Sequence, residues 1–181
     1  MERAQRFRAI VAVFLKYGYE DLAERMPLPN PLRLPFRKMR QTQEEVSLIA
    51  GPERLRRAFE ELGPTFVKLG QLLSTRRHLL PPAFTHELAK LHDEVPPIPF
   101  DQVLDVLAKE LKRPTNECFI SIDEAPIGSA SIAQVHRAIL MTGDQVVIKV
   151  QRPGIEPLVR LDLEIMARTA GAVVNGRGSK P

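Results

Sequence analysis

Ala125-Pro-Ile-Gly-Ser-Ala-Ser-Ile-Ala-Gln-Val-His-Arg-Ala138, followed after the connection Met141-Thr-Gly-Asp144 by Val146-Val-Ile-Lys149, is the stretch that decides how this chain is read. Branched and aromatic residues cluster at 117–122, 132–140 and 145–151, which predicts three strands. The short connection at 141–144 predicts that the last two form an antiparallel hairpin. Between the first two strands runs a loop of small residues, Gly128, Ser129, Ala130 and Ser131. Small side chains are what a loop needs if its backbone N–H groups are to come within hydrogen-bonding distance of phosphate oxygens. Lys149 reads as inward-facing between Ile148 and Val150, where an ammonium must find an anion. Either feature alone is explained by an ordinary hairpin. Together, in this order, they make a cradle with a cation at its edge.

Upstream, the texture is helical. Pro52 and Pro64 each suit a first helical turn, with Gly51 and Gly63 closing the helices before them. Leu62, Phe66, Leu69 and Leu73 fall at i, i+4, i+7 and i+11, a single apolar stripe, and Lys68, Gln71 and Thr75 project from the other side. Further helices are predicted from Pro82 to His92 and from Asp101 to Lys112, separated by the breaker Val95-Pro-Pro-Ile-Pro99. Downstream, Pro153-Gly154 ends the last strand and a long helix begins near Ile155. Its apolar residues Leu158, Val159, Leu161, Leu163, Ile165 and Met166 cover most of the circumference, so burial on more than one side is expected, with Glu164 and Arg168 paired on the remaining face.

At the front of the chain, Phe7, Ile10, Val11 and Phe14 share one helical face, flanked by Arg3, Arg6, Arg8 and Lys16. Residues 1–43 carry nine Lys/Arg against four Asp/Glu, so the overall net charge of +4 is an N-terminal property and not a domain-wide basic patch. A basic amphipathic helix of this kind either packs its stripe on the rest of the protein, the favoured reading, or lies on an anionic membrane surface. The apolar run at 9–15 is too short to span a bilayer and has no small-residue cleavage site, so neither a transmembrane helix nor a signal peptide is expected. The segmentation that follows is a basic amphipathic helix at 1–25, a Pro-rich linker at 26–42, a helical region at 43–113, the strand-bearing region at 114–174 and a disordered tail at 175–181.

Composition removes several function classes. A charged share of 27% with 44% hydrophobic residues is that of a globular chain. Low aromatic content without Trp argues against nucleic-acid binding by base stacking. Cys118 is the only cysteine, and His78, His86, His92 and His136 show no ligand spacing, so neither a disulfide framework nor a metal site is expected.

GSASIAQVHRA followed by VVIKVQRPGI resembles the alanine-rich loop and lysine strand of the UbiB/AarF atypical kinase family, which includes the ADCK proteins. A second block agrees: Leu62-Gly-Pro-Thr-Phe-Val-Lys-Leu-Gly-Gln-Leu-Leu-Ser-Thr-Arg76 is similar to that family's KxGQ signature, with Lys68, Gly70 and Gln71 in the motif positions. Leu79-Leu-Pro-Pro82 and Val95-Pro-Pro-Ile-Pro-Phe100 resemble segments the family carries between the two, and the likeness covers roughly residues 50–170. Arg77 and His78 depart from the Pro-Asp usual there, a surface change.

The resemblance implies an α+β fold: a helical N-terminal extension packed on a small antiparallel sheet like a protein-kinase N-lobe, then a long helix, with no C-lobe. It implies ATP as cofactor, Mg²⁺-dependent in the complete family protein, held by Gly128, Ser129, Ala130, Ser131, Val135 and Lys149. Lys68, Gly70 and Gln71 take a regulatory role, on a helix lying across the nucleotide cleft where it disfavours protein substrates. Only 32 residues follow Lys149, so the catalytic-loop aspartate, the Mg²⁺-binding asparagine and the DFG-type aspartate have no counterpart here. The family's glutamate partner for that lysine lies past residue 181, and neither Asp162 nor Glu164 is assigned to it. The expected function is therefore the N-terminal part of a UbiB-like kinase or ATPase of ubiquinone or related isoprenoid-lipid metabolism, without a complete catalytic set. The expected location is cytoplasmic and peripheral to the inner membrane. Expected partners are the nucleotide, an anionic or isoprenoid lipid, and a second copy through an exposed apolar face of the N-lobe. The alternative is a non-catalytic helical module that binds lipid or a partner protein.

Overall fold

A computed structural model describes residues 3–20, 48–92 and 95–176, with side chains through residue 171. The Pro-rich linker at 26–42 and residues 177–181 lie outside the described residues, while residues 175 and 176, expected in the tail, end the last helix. The described elements are α1 (Arg3–Lys16), α2 (Gly51–Leu62), α3 (Pro64–Thr75), α4 (Pro82–Leu88), α5 (Phe100–Leu111), β1 (Phe119–Ile122), β2 (Gly128–Ser129), β3 (Ala133–Leu140), β4 (Gln145–Gln151) and α6 (Ile155–Gly176). The fold class is α+β, as the sequence implied. The elements form two compact units, residues 1–91 with 157–181, and residues 92–156. This grouping differs from a cut at 113/114, because composition registers where residue texture changes and not which side chains bury together.

The first unit is helical. Its core is built from Ile10, Val11 and Phe14 of α1, Phe59 and Leu62 of α2, Phe66 and Val67 of α3, Leu88, Leu91 and Ile165. Phe66 meets Phe14 and Phe59 edge-on, with ring centroids 6.3 and 5.8 Å apart. The apolar stripe of α1 is thus spent on packing, the favoured of the two readings. The helix is shorter than residues 1–25: Tyr17 and the left-handed Gly18 (φ 73°) turn the chain out of it. Gly51 opens α2 and does not close a helix before it, while Gly63 (φ 93°) does close α2 and Pro64 starts α3. On α4, hydrogen bonds from Lys90 and Arg56 hold the Glu87 carboxyl below the usual carboxylate range.

One side chain of α1 is buried for another reason. Arg6 Nε and Nη2 donate to Asp162 Oδ1 and Oδ2 at 2.6 and 2.9 Å, and Nη2 also donates to the Leu62 carbonyl at 2.8 Å. Asp162 is fully buried, so this bidentate pair joins α1, the end of α2 and α6 inside the unit. Glu164 is engaged by Arg3, in place of the Arg168 pairing that helical spacing favours. Leu163 stands exposed, so α6 does not bury the full circumference its composition implied; Ile155 and Ile165 are its buried apolar positions among the described residues.

The second unit is a sheet with a helix on one face. β3 is the hub. It pairs with β4 along Ala133–Ile139, and on its other edge with β1 near Ala138–Leu140 and with β2 at Gln134 and Val135, all antiparallel. The hairpin turn is closed by Leu140 N–H to Asp144 O at 2.9 Å, with Gly143 left-handed at φ 90°. Gln134, His136 and Ala138 face inward, opposite Val150, Ile148 and Val146. Val150 and Ile148 pack with Val103 and Leu107 of α5. Gln134 and His136 are fully buried and satisfied: Gln134 Oε1 accepts from Ile98 N–H at 2.9 Å, its amide nitrogen lies 2.8 Å from His136 Nε2, and His136 Nδ1 lies 2.7 Å from the Asp123 carbonyl. Among the described residues no helix is long and apolar enough to cross a membrane.

Candidate functional site

Strand periodicity creates the site. Successive side chains point to opposite faces, so burying Ile148 and Val150 turns Lys149 the other way. Lys149 is exposed, which corrects the inward-facing expectation: it shares an open face with Val147, Val135 and Arg137. The register places Gly128 opposite Val135, and Val135 opposite Lys149. These three residues therefore form one row across three strands on the open side of the sheet. Gly128 is exposed, and a Cβ built on it meets nothing within 4 Å. Beyond the row, a depression of about 470 Å³ continues along the same face, lined by Asp123, Arg137, Ile139, Gln145 and Val147.

The rest of the loop is held from behind. Ser129 pairs with the buried Gln134, so its side chain faces the α5 side of the sheet. The Ala130 N–H donates to the Ala133 carbonyl at 2.8 Å, a tight turn that brings Ser131 into a buried position. Arg152 sits beneath: its Nε donates to Ala130 O at 2.8 Å, and its Nη2 donates to Ser129 Oγ at 2.8 Å and Pro96 O at 2.9 Å. Sequence reasoning passed over Arg152. The signal was its phase, since it shares the period-2 face of Val146, Ile148 and Val150.

The three KxGQ residues lie in the helical unit. Lys68 Nζ donates to Gln71 Oε1 at 2.9 Å, and Gln71 Nε2 donates to the Leu91 carbonyl at 3.2 Å. Gly70 is buried: a Cβ there would collide with Leu91 Cδ1 and stand 2.8 Å from Phe59 Cδ2. The glycine is what lets α3 approach α2 and the segment ending at Leu91. The buried face of α3 runs through Phe66, Val67 and Gly70, with Leu69 and Leu73 only partly covered.

The open face presents an unencumbered glycine, small flanking residues and an exposed ammonium in register. Among the described residues no three His, Cys, Asp or Glu side chains gather as a metal site.

The family described as ABC1 atypical kinase-like domain matches residues 90–176. The chain is 43% identical over 171 residues to "Probable protein kinase UbiB" of Marinobacter nauticus, covering 94% of this chain and 31% of that protein. It is 51% identical over 117 residues to an "Uncharacterized protein in hydrogenase 1 5'region" of Clostridium pasteurianum, covering 65% of this chain and 22% of that one. A solved structure described as the Rv3197–erythromycin complex from Mycobacterium tuberculosis shares 31% identity, covering 74% of this chain and 35% of that one, with a TM-score of 0.42. The chain spans about a third of the length of the UbiB relatives it matches.

Proposed function

This chain belongs to the UbiB/AarF (ABC1) atypical kinase family and spans about a third of the length of its UbiB relatives, and on that premise we propose that its open sheet face is the N-lobe side of an ATP site. The observation that carries the reading is the cross-strand row of Gly128, Val135 and Lys149. In this arrangement the Gly128–Ser131 loop covers the phosphates, Lys149 supplies positive charge to them, and Val135 and Val147 offer apolar surface to the base. The alanine and serine in place of glycines keep the loop backbone from approaching as closely as a GxGxxG loop does, so the nucleotide sits in an altered pose. ATP would supply the phosphoryl group when bound; Gly128, Val135 and Lys149 would hold and orient it.

The name UbiB borne by the relatives supports a role in ubiquinone or related isoprenoid-lipid metabolism at a membrane surface. Within that role the described residues bind and orient the nucleotide, with Lys149 placing positive charge beside its phosphates.

Titration of the 181-residue chain with ATP, followed calorimetrically, tests the reading. Saturable binding that weakens at least about tenfold in Lys149→Ala is expected, since hydrogen bonds to a charged group contribute roughly 1.5–3 kcal/mol. Equal affinity in the variant would remove Lys149 from the site. Co-sedimentation with anionic vesicles, unchanged by Lys149→Ala and without nucleotide binding, would favour the lipid- or partner-binding module instead.

A further inference from the structure

We propose that Arg152 is a positioning residue: a latch on the covered side of the sheet that holds the small-residue loop in its shape on the open side. This rests on the reading of the loop as a phosphate cover. The residue lies one position past β4, in phase with Val150 and therefore on the α5 side. Its guanidinium bridges two segments: the Ala130 carbonyl and Ser129 hydroxyl of the loop, both at 2.8 Å, and the Pro96 and Val95 carbonyls of the connector before α5 at 2.9 and 3.4 Å. Two backbone bonds close the same frame, Arg152 N–H to Ile132 O at 3.1 Å and Val95 N–H to Ser129 O at 3.3 Å.

The geometry has a direct consequence for the loop. A peptide unit is planar and trans, so pulling the carbonyl of residue 130 toward one face fixes the orientation of the whole Ala130–Ser131 peptide. Glycine loops are free to adopt many such orientations. This loop has alanine at 130 and 133 and is clamped as well, so its backbone is preset before any ligand arrives. The planar fork is suited to the task, because several acceptors at fixed angles are met by one rigid group; a lysine carries a single nitrogen and cannot span them.

Amide hydrogen exchange on the full 181-residue chain without nucleotide reads the latch directly. In Arg152→Ala, exchange at Ala130 and Val95, whose N–H groups are bonded within the frame, should rise roughly tenfold, while β3–β4 amides from Val135 to Ile148 keep their protection. Arg152→Lys should fall between wild type and Ala. Calorimetric ATP affinity should drop in the same order, about tenfold for Ala, with the melting temperature nearly unmoved. Unchanged exchange at Ala130, or loosening spread evenly over the sheet, would overturn the latch; if Ala disrupts the whole sheet, selective loosening in Lys upholds it and uniform loosening sinks it. Selective loosening with unchanged ATP affinity would overturn the positioning role. If wild type binds no ATP while the loop loosens selectively, the nucleotide reading fails and the latch stands.

Discussion

The two units handle their motif residues in opposite ways, and the two motif glycines show it most clearly. Gly70 lies in a helix–helix contact with no space for a methyl group, whereas Gly128 lies on a sheet face with nothing within 4 Å of a built Cβ. The neighbours follow suit. Gln71 is tied to Lys68 and to the Leu91 carbonyl, while Lys149 extends from an exposed strand position. In the helical unit the signature holds helices together; in the sheet unit it is presented outward. A short signature therefore does not carry one kind of meaning, and burial decides which.

The largest expected effect tests how far the helical unit depends on internal polar contacts. Arg6→Ala leaves Asp162 buried without its bidentate partner and the Leu62 carbonyl without its donor. Breaking a buried pair from one side costs roughly 3–5 kcal/mol, measured here as a fall in the denaturation midpoint. A double variant, Arg6→Met with Asp162→Leu, should recover much of that loss, since apolar replacement of both partners avoids the stranded charge. If Arg6→Ala behaves like a surface substitution, α1 is not a structural member of the unit and the contrast between the units weakens. ATP affinity of whatever remains folded should be unaffected.

A smaller loss is expected at Gly70. The new methyl of Gly70→Ala must displace Leu91 and Phe59, both core side chains. Overpacking of this kind costs typically about 1–3 kcal/mol. Rescue by Leu91→Ala, which opens the space the methyl needs, would show that the cost is steric; its failure would assign Gly70 some other role and blur the comparison with Gly128.

Much of the sheet unit was legible beforehand because its determinants are local. The β-branched runs, the Met141–Asp144 turn and the small-residue loop each announce themselves within a few residues; the three expected strands are β1, β3 and β4, while the two-residue β2 forms inside what was read as loop. The face on which Lys149 stands was misread because a lysine between two apolar neighbours looks buried until the alternation is counted from α5, whose contact with Val150 sets the phase. What could not be read was every contact of long sequence separation. Nothing near Arg6 points to a residue more than 150 positions away, nothing near Gly70 names Leu91, and Arg152 reads as a surface charge before Pro153 until the loop is seen resting on it. Those contacts are made by packing, and a lone sequence records residue types without recording neighbours.

The smallest effect on stability, and the one that most sharpens the comparison, belongs to Gly128→Ala. The residue is not among the left-handed glycines, so alanine fits its backbone, and the new methyl enters open space. Stability should stay within about 0.5 kcal/mol, as for surface substitutions. Restriction of the unfolded chain offsets any small loss, since Gly→Ala at a compatible site stabilises by roughly 0.4–1 kcal/mol. ATP affinity should nonetheless fall severalfold, because the methyl projects from the row shared with Val135 and Lys149, where a phosphate must approach the backbone. The same chemical change at the two glycines thus separates two quantities: at Gly70 it should lower the denaturation midpoint, at Gly128 the affinity. A Gly128→Ala protein that binds ATP as wild type does would leave the open face without a ligand, and one that unfolds as readily as Gly70→Ala would show that this glycine too is built into the frame.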